Sequence, residues 1–178
     1  MRTSTAAVIL ALALAACSRD EARNPLAPLA PNFSAADRTG IPTISTRTHG
    51  SLDATETSTP QPAPPAIPTQ LATHLEGTGT ASHLGRYTVV ANLTVDLATA
   101  SSIGVMTFTA ADGDQITATE TGQAVFGGGL VRITEVATIT GGTGRFARAS
   151  GTLAIVRLEN PATGVSSGSF EGTIDLAK

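Results

Sequence analysis

The clearest regularity in the chain is an alternation of apolar and polar residues between positions 86 and 97. The apolar residues fall on one side of an extended backbone: Tyr87, Val89, Ala91, Leu93, Val95 and Leu97. Polar residues such as Thr88 and Asn92 fall on the other side. A period of two is typical of a half-buried β-strand. Residues 86–97 are therefore predicted to form a strand with one face in a core.

Further strands are predicted on both sides of this one, at about 71–80, 101–110, 115–126, 129–140, 151–159 and 165–176. Turn signals separate them, because Asp112-Gly113 favours a hairpin and residues 160–164 join the last two strands. No segment of a dozen residues has the period and caps of a helix. Seven or so antiparallel strands predict an all-β domain, either a sandwich or a closed barrel, and composition alone does not choose between them.

The segment before these strands has a different composition. Nine of the ten prolines lie between Pro25 and Pro68, and Ser, Thr and Ala dominate the rest of this segment. Such a segment buries too little apolar surface to offset the entropy lost on ordering it. We therefore predict a disordered tether over residues 18–69 and a single domain over residues 70–178.

The pattern of residues 1–17 predicts a signal for export. Arg2 precedes an apolar run, 6–16, which is too short to span a bilayer but is typical of a secretory signal. The run ends in Leu-Ala-Ala-Cys17, which resembles the lipobox of bacterial lipoproteins, whose cysteine is lipidated and becomes the N-terminus. The resemblance implies a protein of the bacterial cell envelope that is attached to a membrane through Cys17, and Ser18 after it points to the outer membrane. The alternative is an ordinary signal peptide in which Cys17 is incidental.

Charge and side-chain spacing exclude several classes of function. Residues 70–178 carry six basic and nine acidic side chains without a basic stripe, so no nucleic acid is predicted as a partner. Neither His74 nor His83 has a cysteine or an obvious carboxylate at metal-ligand spacing, so no metal is predicted. The chain also lacks the G-x-S-x-G elbow of serine hydrolases. We assign no catalytic residue and no cofactor.

Four glycines surround an Arg-Phe pair between positions 138 and 155, in TITGGTGRFARASGTLAI. A phosphate-binding loop would need a lysine and a following helix, and neither is present in this sequence. A corner between two strands explains more of the residues, because glycine permits positive φ and close approach of backbones. The corner residues are Gly141, Gly142, Gly144, Phe146 and Gly151, with Phe146 predicted to plug one end of the apolar interior.

The segment 139–151, ITGGTGRFARASG, resembles a segment shared by allene oxide cyclases and plant dirigent proteins. Both families are eight-stranded antiparallel barrels, so the resemblance implies a small barrel of seven to eight strands. It also implies a homo-oligomer, since dirigent-like barrels often assemble as trimers. Activity does not carry over by resemblance, because Glu76 in the first predicted strand lacks the Asn and Pro that surround the catalytic glutamate of the plant cyclase.

Two glutamates share predicted inward faces with apolar residues. Glu120 lies in line with Ala118 and Phe126, and Glu135 lies in line with Ile133. If residues 127–128 form a two-residue turn, Glu120 lies directly opposite Glu135, with side chains about 5 Å apart.

Such a pair of carboxylates cannot both ionise at low cost. One pKa should therefore rise, or a cation should lie between the two glutamates. Arg157, in line with Leu153 and Ile155, is the predicted partner.

Three interpretations of this cluster are open. It can be a structural ion pair, it can orient the polar head of a ligand, or it can act as a general acid and base. A one-residue slip of the register would turn one glutamate to solvent. We predict a barrel that binds a small hydrophobic molecule or serves as an interaction module. The alternative is an isomerase or cyclase of the allene oxide cyclase type.

Overall fold

Alternation of inward and outward side chains runs through eight strands. The structure, a computed structural model, describes residues 43–177. The strands are β1 (Thr43–Gln61), β2 (Gln70–Ala81), β3 (Gly85–Asp96), β4 (Ser101–Ala110), β5 (Gln115–Gly127), β6 (Leu130–Gly142), β7 (Ser150–Asn160) and β8 (Val165–Ala177). In β3 the buried residues Tyr87, Val89, Ala91 and Leu93 alternate with exposed ones.

The strands close into one antiparallel barrel. Each strand pairs with its neighbours in the chain, and β1 also pairs with β8. This arrangement confirms the predicted barrel and excludes the sandwich, and it leaves no strand with an unpaired edge. Between Thr43 and Ala177 the helical structure is limited to a 3-10 turn, Gly144–Phe146.

No helix in residues 43–177 is long and apolar enough to cross a membrane.

The predicted boundary between tether and domain is wrong. Residues 43–61 were predicted to belong to the tether, but they form β1. This strand pairs with β2 along residues 50–61 and with β8 along residues 43–55. The barrel therefore begins within the proline-rich segment, and the first predicted strand is the second one observed.

Composition did not predict β1, because this strand contributes few apolar side chains to the core. Leu52 and Ala54 are buried, whereas the buried Thr48 is polar and donates a hydrogen bond from its hydroxyl to the carbonyl of Ser82 at 2.8 Å. Backbone hydrogen bonds to two neighbouring strands hold the segment, and a Ser/Thr-rich sequence forms these as well as an apolar one. The predicted leader, Cys17 and the first part of the predicted tether, 18–42, lie outside the described residues.

The two ends of the barrel differ in how they are filled. We call the end with residues 62–69, 97–100, 128–129 and 161–164 the open end, and the end with residues 82–84, 111–114 and 143–149 the closed end. Near the closed end the rings of Tyr87, Phe108 and Phe170 pack with centroids 5.6–6.0 Å apart. Leu84 and Phe146 are buried there as well. The large apolar side chains thus leave little space at this end.

The glycine-rich segment connects β6 to β7 at the closed end. Thr140 forms a bulge in β6, and the register resumes with Gly141 opposite Thr117. Gly142 lies so close to β5 that a Cβ would overlap the carbonyl oxygen of Gln115. The close approach of the two backbones therefore requires glycine at this position.

Phe146 ends the 3-10 turn that begins at Gly144, and its side chain is 1 % exposed. The guanidinium of Arg145 lies 4.5 Å from the centroid of the Phe146 ring and pairs with Asp112. Gly151 lies in β7 opposite Ile174 of β8. These residues shape the closed end and lie at the opposite end of the barrel from the cavity described next.

Candidate functional site

A cavity of about 250 Å³ occupies the interior at the open end. Its wall is mainly apolar, formed by Leu71, Leu93, Val95, Leu97, Ala100, Ala124, Phe126, Val131, Ile133 and Pro161. Polar side chains also line it: Glu56, Ser58, Thr73, Asp96, Ser102, Arg157 and Glu159. The site therefore combines an apolar wall with a small set of charged groups.

Arg157 is the centre of the polar cluster. Its Nε and Nη2 donate to the two carboxylate oxygens of Glu135, at 3.0 and 2.7 Å. Its Nη1 donates to the carboxylate of Glu56 and to the hydroxyl of Ser166, the latter at 3.2 Å. Burial alone would lower the pKa of Arg157, but the bonds to Glu135 and the charge of Glu56 outweigh it and raise that pKa. The guanidinium therefore stays charged inside the barrel.

The pairing register between β6 and β7 brings Glu135 and Arg157 together. Arg157 lies opposite Ile133 in β6, so Glu135 is its diagonal neighbour on the same inward face. On its other side Arg157 faces Gly168 of β8, where a Cβ would come within 2.7 Å of the arginine. The missing side chain at Gly168 avoids a clash with Cα and Cβ of Arg157.

Glu120 is a third buried carboxyl group, and it lies behind the cavity wall. Its Oε1 accepts a hydrogen bond of 2.9 Å from the hydroxyl of Ser102, which lines the cavity, and no residue of 43–177 bonds to its Oε2. Burial raises the pKa of Glu120 to about 7, and the negative charge of Glu135 adds to the effect, against the opposing influence of Ser102 and Arg157. The group therefore gains and loses its proton near neutral pH.

The predicted turn between β5 and β6 is displaced by one residue. Gly128 and Gly129, with φ of 62° and 79°, form the turn, and Gly127 pairs with Leu130. Glu120 therefore lies opposite Ala137 rather than Glu135, which lies opposite Gly122.

Both glutamates nevertheless face inward, because moving a two-residue turn by one position shifts the pairing by two and keeps the faces. Glu120 Oε1 and Glu135 Cγ lie 2.5 and 3.0 Å from the position of a Cβ on Gly122. The structure thus brings the two glutamates together diagonally over this glycine.

The placement predicted for Phe126 is wrong. It was predicted to lie in the apolar interior but is 72 % exposed at the rim of the cavity. The cause is its position, since it lies close to the turn at the open end, where the inward face has no opposite wall. In residues 43–177 no group of three or more His, Cys, Asp or Glu side chains could hold a metal ion.

Comparison with solved structures identifies the architecture. A pterocarpan synthase dirigent protein, GePTS1, superposes with a TM-score of 0.55 over 76 % of this chain and 92 % of its own. The fold is a dirigent-like barrel. The sequences share 14 % identity, so the likeness concerns the fold alone. No family model and no curated protein matches the chain.

The dirigent-like barrel also contains site residues that sequence reasoning missed. Glu56 was assigned to the tether, although Leu52, Ala54 and Glu56 continue an inward alternation that was a weak signal for a strand. Ser102 and Ser166 carry no mark in the sequence that separates them from the many exposed serines. Their roles depend on the register between strands.

Proposed function

We propose that the barrel binds a small, largely apolar molecule in the cavity at its open end. The observation that carries this proposal is a cavity of about 250 Å³ with a mainly apolar wall, next to a cluster of buried, hydrogen-bonded charges. Ligand sites commonly combine an apolar lining with a few fixed polar groups, and drug-sized ligands need about 300–1,000 Å³. The expected ligand is therefore smaller than a typical drug molecule.

Native mass spectrometry of the full chain, purified gently from its host, tests this proposal. We expect a stoichiometric small-molecule adduct that is lost when Ala124→Phe fills the cavity. Thr121→Phe is the matched control, because Thr121 lies on the outer face of the same strand. An adduct that persists in Ala124→Phe would place the ligand elsewhere and contradict the proposal.

We further propose that Cys17 carries a lipid and attaches the barrel to a bacterial envelope membrane, with Ser18 favouring the outer membrane. Support comes from the apolar leader and the Leu-Ala-Ala-Cys17 sequence. Expression of wild type and Cys17→Ser followed by detergent phase separation tests it. Wild type should enter the detergent phase, and the variant should not. A mature N-terminus other than Cys17 would favour the ordinary signal peptide.

A second candidate function is an isomerase or cyclase that acts on the same kind of molecule. Glu120 favours it, since its carboxyl group accepts a hydrogen bond from Ser102 of the cavity wall and its pKa is about 7. Such a group can give or take a proton at neutral pH. Conversion of an added substrate that disappears in Glu120→Gln, with binding retained, would support catalysis over binding alone.

A further inference from the structure

Negative charge predominates around the cavity. Three carboxyl groups line it, Glu56, Asp96 and Glu159, and among residues 43–177 the basic side chain along its wall is Arg157. Two further carboxyl groups, Glu120 and Glu135, are buried behind the wall and meet over Gly122. Five carboxyl groups and one guanidinium thus lie in the cavity wall or directly behind it.

Arg157 has little capacity left for an anionic ligand. It is 2 % exposed, and four of the five N–H donors of its guanidinium are used by Glu135, Glu56 and Ser166. A carboxylate or phosphate that entered the cavity would meet Glu56 and Glu159 with at most one guanidinium N–H of Arg157 left to compensate. Like charges at short range in an apolar setting repel strongly. The cavity therefore disfavours anions.

The two carboxyl groups at the mouth, Asp96 and Glu159, form no ion pair with any residue that the structure describes. Asp96 stays ionised, because hydrogen bonds from Thr99 and from the backbone of Ala98 lower its pKa. The Glu159 carboxyl forms no ion pair within residues 43–177, and burial together with the charge of Glu56 raises its pKa, against the opposing influence of the Arg157 charge. These groups would gain stability from a positive charge beside them.

Glu120 adds a further buried carboxyl group directly behind the cavity wall. It is 1 % exposed, and its Oε2 has no hydrogen-bond partner in residues 43–177. Its other oxygen accepts a hydrogen bond from Ser102, which lines the cavity, whereas Glu120 itself lies behind the wall. When ionised, it adds to the negative potential that a cation in the cavity would meet.

We infer that the cavity takes a small organic cation, with a protonated amine beside Glu159 and Glu56 and an apolar body against Leu93 and Ile133. The inference rests on the proposed function, because it names the class of ligand for the same cavity. An ammonium group offers three donors and neutralises part of the surplus charge. A neutral alcohol of the same shape offers one donor and no charge.

Isothermal titration of the full chain at pH 7 tests the inference with two matched probe sets. The first set is 2-phenylethylamine, 2-phenylethanol and phenylacetate, and the second is octylamine, octanol and octanoate. We expect the amine of at least one set to bind about tenfold or more tightly than its alcohol. The carboxylates should show no binding.

The outcomes separate this inference from the proposed function. An alcohol or a carboxylate that binds as tightly as its amine would overturn the preference for a cation and leave the binding function standing. Failure of all six probes would count against both.

Glu159→Gln tests the contact itself. It should weaken binding of the amine by roughly tenfold and leave binding of the alcohol unchanged. Glu171→Gln is the matched control, because Glu171 is exposed on the outer face of β8. If Glu159→Gln weakens amine and alcohol equally while the circular dichroism spectrum is unchanged, the residue acts on the shape of the cavity, and the inference is overturned.

Discussion

Arg157 lies buried inside the barrel and donates hydrogen bonds to two carboxylates, Glu135 and Glu56, which come from strands on different sides of it. A buried ion pair of this kind is a weak source of net stability, because both partners lose their hydration. Removing one partner is costly, however, since the charges that remain are buried without compensation. The loss of Arg157 would therefore matter mainly because Glu135 and Glu56 would remain buried without a cation.

Arg157→Met should therefore destabilise the protein strongly. We expect a loss of about 3–5 kcal/mol in the free energy of unfolding, measured by urea denaturation at pH 7. Arg132→Met is the control, because Arg132 is exposed on the outer face of β6, and it should change stability by about 0.5 kcal/mol or less. Equal effects of the two substitutions would show that the buried cluster does not need its cation.

Glu120 links stability to pH. Its pKa is raised to about 7 in the folded barrel, so the folded protein holds this proton where the unfolded chain has lost it. The associated stability is complete below the ordinary carboxyl pKa and is lost as the pH rises through about 7. Ser102, Glu135 and Arg157 are the polar and charged groups that set this balance.

Glu120→Gln should abolish this pH dependence, because glutamine resembles the protonated acid at every pH. Between pH 5 and pH 8 the wild type should lose about 2–3 kcal/mol more stability than the variant. Chemical denaturation at both pH values measures the difference. Glu171→Gln, an exposed carboxyl on the outer face, should follow the wild type. Parallel pH profiles for wild type and Glu120→Gln would show that the Glu120 proton is not coupled to folding.

Among the elements, the hairpin of β5 and β6 shows which features of a strand are predictable from sequence. Side chains alternate along each strand whatever the turn does, so the inward faces of Glu120 and Glu135 could be predicted. The cross-strand partners could not, because three consecutive glycines, 127–129, allow the two-residue turn at either of two positions. The turn at Gly128-Gly129 moves the pairing by two residues and leaves the faces intact.

Alanine substitutions in this turn distinguish the two registers. Gly129→Ala should cost about 1–2 kcal/mol, because φ at this position is 79° and a side chain strains such a backbone. Gly127→Ala should be nearly neutral, since Gly127 pairs within the strand and a Cβ there meets no atom within 4 Å. Thermal unfolding of the two variants distinguishes the two positions of the turn. The reverse order of stabilities would favour the turn at residues 127–128.

β1 and β3 mark the limits of prediction at the scale of a strand. β3 was predicted closely, because its apolar residues alternate without interruption over nearly the whole strand. β1 was missed, because its inward positions include Thr48, Glu56 and Ser58, and prolines surround it. Its strand conformation depends on pairing with two distant neighbours, which local sequence does not encode. Because β1 was not predicted, Glu56, one of the two carboxylates that neutralise Arg157, was not predicted as a site residue either.

At the scale of the whole molecule, the interior of the barrel is filled at the closed end and contains a cavity at the open end. The aromatic rings, Leu84 and Phe146 occupy the closed end, and smaller or polar side chains leave a cavity at the other. β1 enters at the closed end, where Thr43 pairs with Ala177, and runs toward the cavity. Thr43, the first residue of β1, therefore lies at the end opposite the mouth.

Deletion of β1 tests whether the barrel needs all eight strands. A chain of residues 70–178 keeps every strand that the sequence predicted, but β2 and β8 would each have an unpaired edge. Arg157 would also lose Glu56, and Leu52 would no longer fill the core. We expect this chain to be insoluble or aggregated, whereas residues 40–178 should give a monodisperse protein with a cooperative thermal transition.

Size-exclusion chromatography and circular dichroism of the two chains give the comparison, and restoring β1 supplies the decisive control. Addition of a synthetic peptide of residues 43–61 during refolding should recover β-structure for residues 70–178, because it pairs both edges at once. A peptide of the same composition in scrambled order should fail, since it cannot place Leu52 and Glu56 on the inward face. A stable, soluble barrel from residues 70–178 alone would mean that β8 can pair directly with β2, and that β1 is an addition to a smaller barrel.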